Sequence, residues 1–406
     1  MAKILITLLG TGRSADGETA KNEYIGTDYV IDNKKYKDKK FVSSAIIEHF
    51  GINKVFIIGT NKSMWDNIAQ YFEADDDTIL TILYLKERGT LSQEDLKALN
   101  KSIDRKLSEN GSKCYIIQDS DNKDALWKIF EKLLEIVDTI HKEDEVYFDI
   151  THLFRSVSVM TMILADLGIS TDKFKLGGLF YGLLKKNTPS PIVDLKIFFD
   201  FLKWNKAVYN LKKFGNSSEL KALISDIVNE REIVNGFTNF SNALSIADIG
   251  AMQQSIKILK GRTAHFRAHE KRLIKFIAND LEEFIERFSK EDEVDFLFEL
   301  TKWYIENQNF ALAYITLAEA TVSMICKQHD LPLDRSGKEE AKKILYEYGD
   351  WKSASKEQQK LNEVYRKITD IRNAIAHKTS AKSNPKNSID NIGKYLDTIY
   401  KFYKKN

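Results

Sequence analysis

Cysteine and proline are both scarce: 406 residues hold two cysteines and four prolines. Cys114 and Cys326 stand far apart and form neither a metal-ligand cluster nor a disulfide framework, so they read as reduced, buried thiols. So few prolines exclude long proline-rich linkers. No run reaches the ~18 consecutive apolar residues of a membrane span. The opening MAKILITLLG turns to Gly-Thr-Gly too soon for a signal peptide and suits a first strand better. A soluble cytoplasmic protein with no membrane partner is therefore expected. Internal repeats, low-complexity tracts and residues at metal-ligand spacing are also missing. What is present is an ordinary globular composition, 43% hydrophobic and 30% charged, enough for real cores. The net charge is only +2, but residues 335–406 carry 17 Lys and Arg against 9 Asp and Glu, a local excess that suits a polyanionic partner.

The first half alternates short β-rich runs with helical stretches. Strands are expected at Lys3–Leu9, Lys54–Ile58, Thr78–Leu85, Lys113–Ile117, Glu145–Asp149 and Lys175–Tyr181. Helices are expected at Val42–Phe50, Gln93–Leu107, Asp124–Ile140 and Ser156–Asp166. Near-continuous apolar strands suit a parallel sheet covered on both faces, which makes residues 1–196 a Rossmann-like α/β domain. From about Ile197 the pattern turns helical, with expected helices at Ile197–Lys213, Ser218–Asn235, Met252–Phe288, Asp292–Gln308, Phe310–Gln328, Gly337–Tyr348, Glu357–Ala376 and Ile389–Tyr403. Residues 197–406 thus read as an all-α domain.

The segment Arg372-Asn-Ala-Ile-Ala-His377 is the most chemically suggestive. Ile368, Ile371 and Ile375 give it one buried stripe. At 100° per residue, Arg372 and His377 diverge by about 140°, whereas Asn373 and His377 share a face. An Arg and a His can cleave RNA without metal: His moves protons near neutral pH, and Arg holds the developing phosphorane charge. One helix supplies one His, and two copies across a two-fold axis supply two. The same His also suits a helix C-terminus on dipole grounds alone.

Arg-(four residues)-His with Asn after the Arg resembles the active-site motif of HEPN ribonucleases. The stretch around Trp303–Glu319 looks like the helix pair before the catalytic helix, with Glu319 as a structural partner. In the first half, Phe148-Asp-Ile-Thr-His152 followed by Arg155 resembles the D-x-T-H-G motif of CARF domains, the sensors of type III CRISPR immunity. Members have Gly where this chain has Leu153. Gly10-Thr-Gly12 looks like the first ligand loop, and Gly59-Thr-Asn61 like the loop after the second strand. Gly178-Leu-Phe-Tyr181-Gly182 resembles the end of the last core strand, and Pro191–Leu195 its closing segment.

The resemblance, with a single CARF fused to a single HEPN domain, implies a homodimer activated by cyclic tetra-adenylate, with cyclic hexa-adenylate as the second choice. It implies no required cofactor and no stable association with the effector complex. Single-stranded RNA would be cut to 2′,3′-cyclic phosphate and 5′-hydroxyl ends by Arg372 and His377, with Asn373 assisting. The ring would contact Gly10, Thr11, Gly12, Arg13, Gly59, Thr60, Asn61, Asp149, Thr151, His152, Arg155, Tyr181 and Gly182. Asp149 also suits a cap for the following helix.

Gly10-Thr-Gly-Arg-Ser-Ala15 fits the dinucleotide-binding fingerprint as well. That fingerprint needs an apolar helix after the glycines and an acid ending the second strand; the chain supplies a polar stretch and Gly59-Thr60. A CARF-controlled regulator that binds RNA or DNA without cutting is the other reading, and one built on a winged helix needs a β-hairpin after residue 200. Slow degradation of the ring by its own sensor is a further option.

Overall fold

The computed structural model describes residues 1–11, 26–185, 189–225, 231–268, 272–350, 354–377 and 385–405, with the side chains of 350, 376, 377, 385 and 386 outside that description. Gly12 and Arg13 lie outside the described residues. The chain divides into two compact units, Met1–Phe201 and Leu202–Asn406.

The first unit is built on eight strands: β1 (Lys3–Leu9), β2 (Thr27–Ile31), β3 (Lys34–Lys39), β4 (Lys54–Gly59), β5 (Lys113–Ile116), β6 (Glu145–Asp149), β7 (Lys175–Gly182) and β8 (Ser190–Asp194). They form one sheet in the order β3-β2-β8-β7-β6-β1-β4-β5. Its heart, β5-β4-β1-β6-β7, is parallel. Within this parallel heart β4 and β5 are added on one side of β1, and the chain then crosses to add β6 and β7 on the other. A crevice opens beyond the carboxyl ends of strands at such a reversal. The helices are α1 (Val42–Phe50), α2 (Trp65–Tyr71), α3 (Asp76–Glu87), α4 (Lys97–Leu107), α5 (Lys123–Asp138) and α6 (Arg155–Ser170).

The expected strand at Thr78–Leu85 is the helix α3. Its alternating Ile and Leu pattern is ambiguous, and the N-terminus decides it. Asp75 caps the helix, accepting from the Thr78 amide at 2.8 Å, and Asp76 and Asp77 complement the dipole. Three strands were not foreseen. β2 and β3 form a hairpin around Asp32 and Asn33, both at positive φ (47° and 65°), the twist a two-residue hairpin needs. β3, Lys-Lys-Tyr-Lys-Asp-Lys, hides its strand character behind edge lysines. β8 starts beside Pro191 and pairs antiparallel with β7 and parallel with β2. Both cysteines are free and buried.

The second unit is helical throughout its described residues. It comprises α7 (Ile197–Phe214, which begins in the first unit), α8 (Ser218–Ser225), α9 (Arg231–Ser245), α10 (Ile249–Lys260), α11 (Thr263–Ala268), α12 (Arg272–Phe288), α13 (Glu293–Glu306), α14 (Phe310–Gln328), α15 (Arg335–Asp350), α16 (Lys356–His377) and α17 (Pro385–Lys405). The single helix expected over Met252–Phe288 is interrupted at Gly261 and Arg262, where α10 ends and α11 begins, and residues 269–271 lie outside the described residues. The helix expected over Ser218–Asn235 is described as α8 and the start of α9, with residues 226–230 outside the described residues. An aromatic cluster of Phe240, Phe284, Phe288 and Trp303 packs edge to face in the core. Among the described residues α14 alone is long and apolar enough to cross a membrane, but 67% of it is buried, and it packs against α13, α15, α16 and α17 as a core helix.

Candidate functional site

In the first unit, a cleft of about 430 Å³ opens at the ends of the parallel strands, lined by Thr11, Thr60, Lys62, Asp119–Asp121 and Phe154. Ser63 holds its floor together: its buried hydroxyl accepts from the Thr60 amide (2.9 Å) and donates to the Leu9 carbonyl (2.7 Å). The Trp65 indole donates to the Thr60 carbonyl (2.7 Å), and the Met64 amide to the Gly10 carbonyl (3.0 Å). A Cβ on Gly59 would sit 2.8 Å from the Ser63 hydroxyl oxygen, so this glycine serves the close turn beneath the cleft. The Asn61 amide donates to the Gly89 carbonyl (3.0 Å) and ties the loop to the end of α3.

Asp149 is 1% exposed. Its carboxylate accepts from the Thr7 hydroxyl (2.8 Å), the Thr151 amide (3.0 Å) and the Thr151 hydroxyl (2.5 Å). It therefore fixes the loop after β6 from below, and it is not the cap of α6, whose N-cap is Phe154. The Thr151 hydroxyl in turn accepts from the Gly182 amide at 2.9 Å and locks the loop to the end of β7. A Cβ on Gly182 would meet a Val42 methyl at 2.4 Å, so a larger residue there would have to displace Val42. Tyr181 and Arg155 are exposed. Burial pushes the His152 imidazole below its ordinary pKa, and the charge of Asp149 partly opposes that shift. The cleft thus combines uncapped amides at the start of α6 and the Lys62 cation with acceptors on Asp119 and Asp121. Lys62 stands 3.9 Å from Asp119, so the charged side chains of the lining are one cation and two carboxylates; an anionic group would meet the uncapped amides of α6, and hydroxyl or amino donors would meet the acids.

In the second unit, α16 buries Leu361, Val364, Tyr365, Ile368 and Ile371. Ile375 departs from the expected stripe: it is 38% exposed. Arg372 and Asn373 are exposed, and an Arg372 Nη1 donates to Asn373 Oδ1 at 3.1 Å. Asn373 is thereby placed to orient Arg372. The backbone of His377 closes α16, and its side chain lies outside the described residues. Glu319 takes the Lys338 ammonium, which also lies 3.7 Å from Glu293, so it ties α14 to α15.

Residues 4–182 match the family described as the CARF domain of CRISPR system endoribonuclease Csx1. Residues 200–295 match the second domain of the CRISPR-associated protein MJ1674. Residues 4–182 are therefore a CARF domain, and the chain is similar over both halves to CRISPR-associated proteins. MJ1674 itself, from Methanocaldococcus jannaschii, is 27% identical over 428 residues, and the match covers 98% of this chain but 66% of that longer relative. Enterococcus italicus Csm6 bound to cyclic hexa-2′-fluoro-hexa-dAMP aligns over 99% of this chain and 93% of that one, with 13% identity and a TM-score of 0.40.

Within the CARF domain, Leu153 stands where the motif has Gly, and its φ is +73°. The backbone has kept the left-handed turn that glycine adopts freely, at a cost to leucine of about 1–2 kcal/mol. Leu153→Gly removes that strain and also a half-buried side chain, so urea denaturation should move by less than about 1 kcal/mol. Leu153→Val should cost more than about 1 kcal/mol, since β-branching fits this region worst. Equal stability of Leu153→Val and wild type would show that the turn has no such demand.

Sequence reasoning missed Lys62, Asp119, Ser120, Asp121 and Phe154. Asp119–Asp121 follow β5, and the rule that ligands gather at carboxyl ends of strands marks that loop. Motif matching passed over it because it carries none.

Proposed function

We propose that this protein is an endoribonuclease activated by a cyclic oligoadenylate, acting on single-stranded RNA in type III CRISPR antiviral defence. The observation that carries the reading is the cleft at the ends of β1, β4 and β5 inside a CARF match, where strand-end loops, the start of α6 and Lys62 can receive a phosphate-bearing ring. Cyclic tetra-adenylate is the proposed activator, with cyclic hexa-adenylate as the second candidate. Thr11, Thr60, Thr151, His152, Arg155 and Tyr181 contact the ring or border it, and Asp149 holds the loop in place.

A ring with internal two-fold symmetry is matched by a homodimer. The exposed Val159, Ile163 and Leu167, one turn apart on α6, supply an apolar face for such pairing. The ring activates by binding the cleavage-competent state better than the idle one.

For catalysis, the C-terminal half acts as a HEPN-type ribonuclease. One His377 removes the proton of the 2′-hydroxyl, whose oxygen attacks the phosphorus. The P–O5′ bond breaks, and the His377 of the second copy gives a proton to the leaving oxygen. Arg372 stabilises the charge that builds on the phosphorane. The products are a 2′,3′-cyclic phosphate and a 5′-hydroxyl, and no step calls for a metal. The protein acts in the cytoplasm, without stable association with the effector complex.

Cleavage of a labelled single-stranded RNA by the full-length protein, with cyclic tri-, tetra- and hexa-adenylate in parallel, tests this. Tetra-adenylate should stimulate most, and the reaction should persist in EDTA. No stimulation by any ring would sink the sensor reading, and ring binding without cleavage would favour a ligand-controlled RNA-binding regulator.

A further inference from the structure

α15 and α16 build an arrangement that the proposed chemistry has not used. Asn362 is buried between them, and its amide donates to the carbonyls of Leu345 (2.7 Å) and Tyr346 (3.2 Å). Gly349 makes room for it: a Cβ there would lie 2.7 Å from Asn362 Oδ1. The same Oδ1 accepts from Arg366 Nε at 3.1 Å, so a buried amide aims an exposed guanidinium. That guanidinium lies 5.1 Å over the ring of Tyr346, which is 40% exposed. The Tyr346 ring meets the buried Tyr365 edge to face at 5.8 Å.

Charge pairing sets Arg366 apart. Its neighbours Lys360 and Lys367 both bind Glu363, and Lys338, Lys342 and Lys343 on α15 each have a glutamate. Among the described residues Arg366, like Arg372, has no carboxylate within ion-pair distance. Its Nε is committed to Asn362, which leaves the two terminal nitrogens for an outside acceptor. Along the helix, positions 366, 370, 373 and 377 stay within about 60° of one another. Position 377 is about 16 Å along the axis from position 366, a reach of a few nucleotides.

We propose that Tyr346 and Arg366 form a binding subsite for the single-stranded RNA substrate, with Arg366 on a phosphate and Tyr346 stacking a base a few nucleotides from the scissile bond. Single strands are bound this way: an aromatic face takes any base, and a fixed cation follows the backbone. The inference rests on the ribonuclease reading, and Asn362 acts in it as a positioning residue.

The test uses the full-length protein with cyclic tetra-adenylate and a fluorescent single-stranded RNA carrying 2′-O-methyl riboses, which cannot be cleaved. Tyr346→Leu and Arg366→Gln should each weaken RNA binding by between about fivefold and a hundredfold. They should raise KM for cleavable RNA with kcat near wild type, and leave tetra-adenylate binding unchanged. Arg366→Gln should lower the slope of log affinity against log salt by about 0.7, the loss of one single-strand phosphate contact, while Tyr346→Leu keeps the slope. Arg366→Lys should recover part of the affinity. Folded variants that bind and cleave like a wild type that itself binds and cleaves would overturn the subsite alone. A wild type that neither binds nor cuts RNA would overturn the ribonuclease reading and the subsite with it.

Discussion

Replacing His377 with alanine is expected to slow ring-activated RNA cleavage by at least about 10²–10⁴-fold, the usual worth of one positioned acid–base group. The loss should approach abolition, because the proposed homodimer would lose both proton carriers at once. Tetra-adenylate binding and dimerisation should be unaffected, since the ring cleft and the α6 face belong to the other compact unit. Arg372→Ala should cost a comparable amount and Arg372→Lys should restore part of it, because a point charge does not reproduce a planar fork. Arg372 is exposed, pairs with no carboxylate among the described residues and takes only the neutral Asn373 amide, so its full charge is available to phosphate. Asn373→Ala should therefore act mainly by loosening Arg372, with a smaller effect. The measurement is single-turnover cleavage with saturating ring. Wild-type rates in His377→Ala, or complete loss with EDTA in a folded protein, would move the active site elsewhere.

The second large effect belongs to stability. Lys86 on α3 and Asp66 on α2 form an ion pair with side chains only 6% and 8% exposed, and Asn67 donates to the other oxygen of Asp66 at 2.9 Å. Lys86→Met leaves a buried carboxylate without its cation and should cost about 3–5 kcal/mol. Adding Asp66→Leu should return most of that, since an apolar pair of similar volume can match a buried ion pair. Urea denaturation of the wild type and the two variants reads the difference, and a loss under about 1 kcal/mol for Lys86→Met would mean that water or rearrangement solvates Asp66. The ring cleft should feel the loss too. α2 carries Trp65, whose indole holds the Thr60 carbonyl at the cleft floor. Weaker ring binding by Lys86→Met is expected alongside the lower midpoint.

The parallel heart of the sheet was legible because strands buried on both faces read as unbroken apolar runs, as in β1 and β4. The lysine-coated β3 carries no such run, and only the turn at Asp32-Asn33 betrays it. α3 was misread because its apolar residues satisfy either period, and the deciding Asp75 cap lies outside the run. In the site, motif spacing located the loops but not the duty of each side chain. Asp149 and Asn61 spend their polar atoms within the protein, which depends on neighbours such as Thr7 and Gly89 that are remote in sequence. The subsite at Tyr346 and Arg366 was invisible for the same reason: Asn362 joins two helices only after they pack.

The two ends of the eight-stranded sheet also bear on how copies of the chain avoid one another. One end is β3, with a lysine at four of its six positions; the other is the four-residue β5, which begins with Lys113. A newcomer strand that tried to extend the sheet from β3 would bring its own backbone against a row of ammonium groups, and at β5 it would find little length to pair with. Growth of fibrils by edge-to-edge stacking is thereby discouraged at both margins. Concentrated solutions of the protein should stay clear of cross-β aggregates, and exchanging the β3 lysines for threonine is the change that would remove this protection.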